Sequence, residues 1–223
     1  MNGSSLQTIQ VEQIMSLLFG IIVLTIGISW WVQDRPHLKA KLLLRPFDVI
    51  QKGQWYRLIS HGFIHADFTH LAFNMFVLWQ FGSSVEYQMQ QAWSGSSLIA
   101  SLEPSFLVLY FGGMLAAGLP SLWKQRDNPN YASLGASGGV SAVMMAYILL
   151  FPTNKLLLFF VIPMPAFVAG ILFFAYERYM NKRGATGIAH DAHLMGAIFG
   201  VVYVLLLDSD TLPRMIRAFS LLF

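Results

Sequence analysis

Charge vanishes from this chain for stretches about as long as a bilayer core is thick. Between Glu12 and Asp34 every residue is uncharged, and the run closes on Trp30-Trp31, an aromatic pair suited to a membrane interface. A helix crossing the hydrocarbon needs roughly 20 mainly apolar residues, so each such run is a candidate span. Charged residues make up 11% of the 223, well below the quarter or so usual in a soluble domain. Too few polar side chains remain to cover a water-facing surface. A membrane protein follows.

The charged residues that do occur divide the sequence into an all-α arrangement of six spans. They run over about 12–34, 69–86, 104–123, 136–150, 155–176 and 189–207. Pro152 marks the end of the fourth, and Pro163 and Pro165 fall inside the fifth, where they favour a kink. The first loop, 33–68, mixes most of the basic residues with Leu42-Leu43-Leu44 and Trp55-Tyr56, as expected of a segment lying in the interface. Residues 211–223 form a tail too short to span. Residues 1–13 lack the basic start of a signal peptide, so the first apolar run reads as a retained helix. The whole chain, 1–223, reads as one domain with its core over about 53–208. Cysteine is absent, which excludes disulfides and thiolate metal sites. A net charge of +3, spread over loops, gives nothing for nucleic acid to bind.

Polar groups inside a membrane helix are expensive and need a reason. Here they gather near the starts of even-numbered spans: His70 and Asn74 in the second, Ser137 in the fourth, His193 in the sixth. In a serpentine bundle those starts share one side of the membrane and one depth. The fourth span also carries Gly138, Ala142 and Ala146 at four-residue spacing, and the sixth carries Gly196 and Gly200. Two such smooth faces bring backbones close, close enough for His193 to reach Ser137 as a base reaches a nucleophile, about 2.6–3.2 Å away. Alone, Ser137 reads as well as a packing residue bonded back to a carbonyl, and His70 with Asn74 as a structural pair tying helices together.

The motifs tip this balance. Gly135-Ala136-Ser137-Gly138 resembles the GxSG motif of rhomboid proteases. Ala192-His193-Leu194-Met195-Gly196, with Gly200 beyond, is similar to their last-helix histidine motif. His65 to His70 followed by Leu71 to Met75 resembles their second-helix motif, and Trp55-Tyr56-Arg57-Leu58 the end of their first loop. The resemblance implies a six-helix rhomboid-type bundle with an interfacial first loop. It implies an intramembrane serine endopeptidase needing no cofactor or metal, with Ser137 as nucleophile and His193 as base. The oxyanion would be held by His70, Asn74 and the Ser137 backbone N–H, and Gly135, Gly138, Gly196 and Gly200 would be structural. Its partners would be the lipid bilayer and single-pass transmembrane substrates, unwound by helix-breaking residues, with the fifth helix as a pliable gate. Asp191 lies roughly 200° around the helix from His193, so a dyad rather than a triad is expected. Arg57 and Glu86 match structural positions. Ser141 replaces an aromatic that supports the histidine in some relatives, and Met145 replaces a frequent glycine. His61 and His65 would line a wet cavity or anchor the loop, His190 would face the same cavity or simply sit at the interface, and His37 is a loop residue.

The resemblance also implies a bacterial inner membrane, with the N-terminus cytoplasmic and the site opening to the periplasm. The positive-inside rule argues the reverse, because loops 1, 3 and 5 hold 11 of the 14 Lys and Arg residues. An interface-embedded first loop weakens that count, and we adopt the family orientation. Two rival functions fit part of the pattern. His61/His65 and His190/His193 have spacings found in metal sites, as in a membrane oxidase, although such enzymes use more histidines. A catalytically weak, helix-binding relative would lack the serine or the histidine, and both are here.

Overall fold

In a computed structural model, residues 17–93, 104–158, 161–184 and 189–220 are described. The segment 1–13, Glu12 and the last three residues of the tail lie outside them. Helix α1 spans Leu17–Gln33. The first loop is itself helical: α2 (Pro36–Leu42), α3 (Pro46–Lys52), α4 (Arg57–Ser60) and a 3₁₀ turn at His61–Phe63. A proline opens α2 and another opens α3, where a missing N–H costs nothing. Arg57 staples these pieces. Buried to 5% exposure, it donates to Gln54 Oε1 at 2.7 Å and to the carbonyls of Ala40 and Leu43 at 3.1 and 2.8 Å. It also lies 3.7 Å from Asp48, whose carboxyl is held below its usual range first by the hydrogen bond from Lys52.

Helix α5, Phe68–Trp93, is capped by Asp67, whose Oδ1 accepts the His70 N–H at 2.8 Å. It runs a full two turns past the boundary drawn at Glu86. That boundary fails because Glu86 is not an exposed end marker. It is buried, and its Oε1 accepts the backbone N–H groups of Leu17 and Leu18 at 2.8 and 3.3 Å. Next come α6 (Pro104–Lys124) and α7 (Ser137–Leu150).

The fifth predicted span differs. Residues after α7 form an antiparallel hairpin of β1 (Lys155–Leu158) and β2 (Ile162–Pro165), and α8 begins only at Ala166 and continues to Arg183. Pro163 and Pro165 therefore precede the helix rather than kink it. Each proline lacks an N–H and pushes the residue before it toward extended backbone, so two in three positions favour a strand. The kink that would have made the helix pliable is absent. Helices α9 (His190–Leu207) and α10 (Thr211–Ser220) complete the described chain.

The core lies where α6, α7 and α9 pack on one another, with α5 against α7. Leu78, Tyr110, Met114, Val143, Ala146 and Ala197 are among its buried side chains. Among the described residues, two helices are long and apolar enough to cross a membrane, Ser105–Lys124 and His190–Leu207, while Leu17–Gln33 and Ser137–Leu150 are apolar but shorter.

Candidate active site

Ser137 is the first residue of α7, and the turn before it is held in place by the first loop. Leu44 and Ser133 exchange backbone hydrogen bonds at 3.0 and 2.9 Å, and the Gly135 N–H donates to the His61 carbonyl at 2.9 Å. Gly135 has φ +113, and a Cβ there would stand 3.0 Å from His70 Cε1 and 3.2 Å from its Nε2. Only glycine fits both the angle and the space.

His65 is the other support. Its Nε2 accepts the Ala136 N–H at 3.4 Å and its Nδ1 faces Ser29 Oγ at 2.9 Å. Ser29 spends its own proton on the Phe63 carbonyl, so Nδ1 carries the hydrogen and the ring is neutral. Burial, reinforced by the neighbouring His70, pushes this imidazole down to about 3. His61, also buried, donates Nδ1–H to the Arg57 carbonyl at 2.8 Å, and burial takes it down to about 4. Both histidines anchor the loop. His37 is exposed.

Helices α7 and α9 meet backbone to backbone. A Cβ on Gly196 would land on the Gly138 carbonyl, and one on Gly200 on the Ala142 carbonyl, each far inside van der Waals contact. This seam carries His193 to Ser137: His193 Nε2 lies 2.8 Å from Ser137 Oγ, although the residues are 56 apart in sequence. His70 borders the same space, because the point where a Gly135 Cβ would sit is also 4.0 Å from Ser137 Oγ. Asn74 is buried on α5 and donates to the His70 carbonyl at 2.9 Å, which ties the two residues into one unit on a single helix face.

The residue the sequence reading missed is Glu177. It lies on α8, is 5% exposed, and places Oε1 3.1 Å from His193 Nδ1 and Oε2 2.6 Å from His190 Nδ1. The sequence implies a dyad on two grounds, the resemblance itself and the position of Asp191 around the helix from His193. Asp191 does point elsewhere, to Lys124 at 2.8 Å. The signal for Glu177 was its position: a lone carboxylate following the apolar run of the fifth segment, which a buried location makes costly. The three side chains bring their ligand atoms within 4.8 Å of one another and are thus a possible cation set. Each histidine Nδ1, however, already faces the carboxylate as a hydrogen-bond donor would. Of the two departures, Ser141 is buried in α7. Met145 has found a partner, since the Cβ position of Gly170 on α8 is 3.6 Å from its Cε.

Comparison with known proteins matches residues 52–209 to the family model of the Rhomboid domain. The chain is similar to RHOMBOID-like protein 12, mitochondrial, of Arabidopsis thaliana, with 29% identity covering 83% of this chain and 56% of the relative. It is 32% identical to Rhomboid protein 1, mitochondrial, of Saccharomyces cerevisiae, over 83% of this chain and 51% of the relative. It is 34% identical to the human Presenilin-associated rhomboid-like protein, mitochondrial, over 66% and 36%. The chain thus spans about half the length, or less, of the curated relatives it matches. All three names read mitochondrial, which overturns the expected bacterial inner membrane and, with it, a site opening to a periplasm.

Proposed function

Given that the chain belongs to the rhomboid family, we propose that it is a serine endopeptidase cutting transmembrane helices within a mitochondrial membrane. In this reading α1, α5, α6, α7, α8 and α9 cross the bilayer. Helix α7 has 14 residues, a length of about 21 Å at 1.5 Å per residue, against a hydrocarbon core of about 30 Å. At least one of its ends therefore lies below the membrane surface, and in this reading it is the N-terminal end that carries Ser137.

The observation that carries the proposal is the 2.8 Å contact between Ser137 Oγ and His193 Nε2. His193 takes the Ser137 proton as Oγ attacks the scissile carbonyl, then gives it to the leaving amine, and water releases the acyl group by the same route. The oxyanion forms beside the N-terminus of α7, where the Ser137 N–H is unpaired within the helix. His70 and Asn74 add side-chain donors from α5, and one donor of this kind is worth about 10²–10³ in rate. Substrates are single-pass helices with small or helix-breaking residues, since a helical amide must unwind before a nucleophile reaches its carbonyl.

The test is covalent labelling of the purified chain by a fluorophosphonate, with cleavage of a reconstituted helix measured alongside. Labelling and cleavage are expected in the wild type, lost in Ser137→Ala and His193→Ala, and indifferent to chelators. Cleavage that persists in Ser137→Ala, or that stops on chelation, overturns the assignment.

A further inference from the structure

We propose that Glu177 is a positioning residue that turns the Ser137–His193 pair into a three-membered relay, resting on the protease reading above. Its carboxylate reaches His193 from a third helix, α8, while serine and histidine come from α7 and α9. The geometry dictates the proton arrangement. A carboxylate only accepts, so His193 presents Nδ1–H to Oε1 at 3.1 Å. Its Nε2 is then the bare lone pair facing the Ser137 hydroxyl at 2.8 Å. That is the tautomer a general base requires.

His190 holds the carboxylate itself. Its Nδ1 lies 2.6 Å from Oε2, and both groups are buried, at 3% and 5% exposure. With one oxygen on each ring, the carboxylate plane cannot rotate without losing a partner. When Ser137 Oγ bonds to the scissile carbon, its proton moves to His193 Nε2 and the ring becomes an imidazolium. Glu177 faces that positive charge across Nδ1–H and takes no proton. The proton then leaves Nε2 for the departing amine as the C–N bond breaks, restoring the starting tautomer. Burial of Glu177 and His190 puts water at a disadvantage as a substitute partner for Nδ1, so the carboxylate supplies what bulk solvent would supply elsewhere.

Glu177→Gln keeps the shape but can offer an N–H to His193, which favours the wrong tautomer. We expect kcat to fall about 10²–10⁴-fold with KM unchanged, and fluorophosphonate labelling of Ser137 to slow in parallel. Glu177→Asp should recover part of the loss, and His190→Ala should cost less than Glu177→Gln. Histidine-selective NMR of the wild type should show a far-downfield Nδ1–H resonance that disappears in His193→Ala and moves in Glu177→Gln. Should the wild type label at Ser137 while Glu177→Gln labels equally fast, the proposal is overturned and the protease reading stands. A wild type without that His193 resonance overturns it too, whether or not any variant folds. Failure of the wild type to label at all counts instead against the protease reading.

Discussion

Two of the helices that pack on α7 touch it in opposite ways. Against α9 the contact is backbone on backbone, with the Gly196 and Gly200 positions already filled by the carbonyls of Gly138 and Ala142. Against α8 the contact passes through side chains: the Gly170 Cβ position meets Ile148 Cγ2 at 3.2 Å and the end of Met145 at 3.6 Å. Backbone seams are stiff, because carbonyls cannot rotate out of the way. Side-chain seams give, because rotamers can shift. The stiff seam carries the contact that tolerates least error, serine to histidine. The adjustable one carries only α8, fastened at its far end by Glu177 to His190 and His193.

The sharpest break of this contrast is Gly196→Val. An isopropyl group whose Cβ alone already overlaps the Gly138 carbonyl should cost about 3 kcal/mol or more and abolish labelling of Ser137, read by thermal unfolding in detergent and by the fluorophosphonate. Gly200→Ala strikes the same seam with one methyl and should cost about 1–3 kcal/mol.

Acid should loosen the support under Ser137 next. His65 and His61 are held neutral in the fold, at about 3 and about 4, against an ordinary value of 6.5. Below pH 6.5 the unfolded chain binds protons that the folded chain refuses, so stability is fully present above that value and falls as pH drops. The loss runs down to about 4 for His61 and about 3 for His65. Its slope is about 1.4 kcal/mol per pH unit per histidine at most. Unfolding followed between pH 7 and 4 should show it, and His61→Gln should flatten it. A slope of opposite sign would mean that these rings are charged in the fold.

Smaller effects sharpen the other side. Gly170→Ala should change stability by less than about 1 kcal/mol, since the gain in helix propensity offsets a shift of Ile148. Pro163→Ala should be smallest, within about 0.5 kcal/mol, because that proline sits in a hairpin and kinks no helix. If Gly170→Ala proved as damaging as Gly200→Ala, the two seams would not differ in kind.

Much of the site was legible because its chemistry repeats at helical spacing. Gly138, Ala142 and Ala146 on one segment and Gly196 and Gly200 on another announce close approach, and Ser137 and His193 lie at the ends of those faces. His70 and Asn74 are one turn apart on a third. Charge placement misled in two cases. Glu86 looked like a helix end and is a buried acceptor for α1. Glu177 fell just beyond a segment drawn to stop at Tyr176, beside Arg178, and drew no reading of its own.

Residue order alone determined most of the long helices, which faces are smooth, and which residues could share a depth. Those features depend on local period and on the expense of polar groups in lipid. Only the tertiary structure decided that two prolines make a hairpin end rather than a bend, and that a carboxylate 16 residues before His193 reaches its ring. Such a contact is set by the crossing of α8 over α9, and no local pattern in either helix encodes how two helices cross.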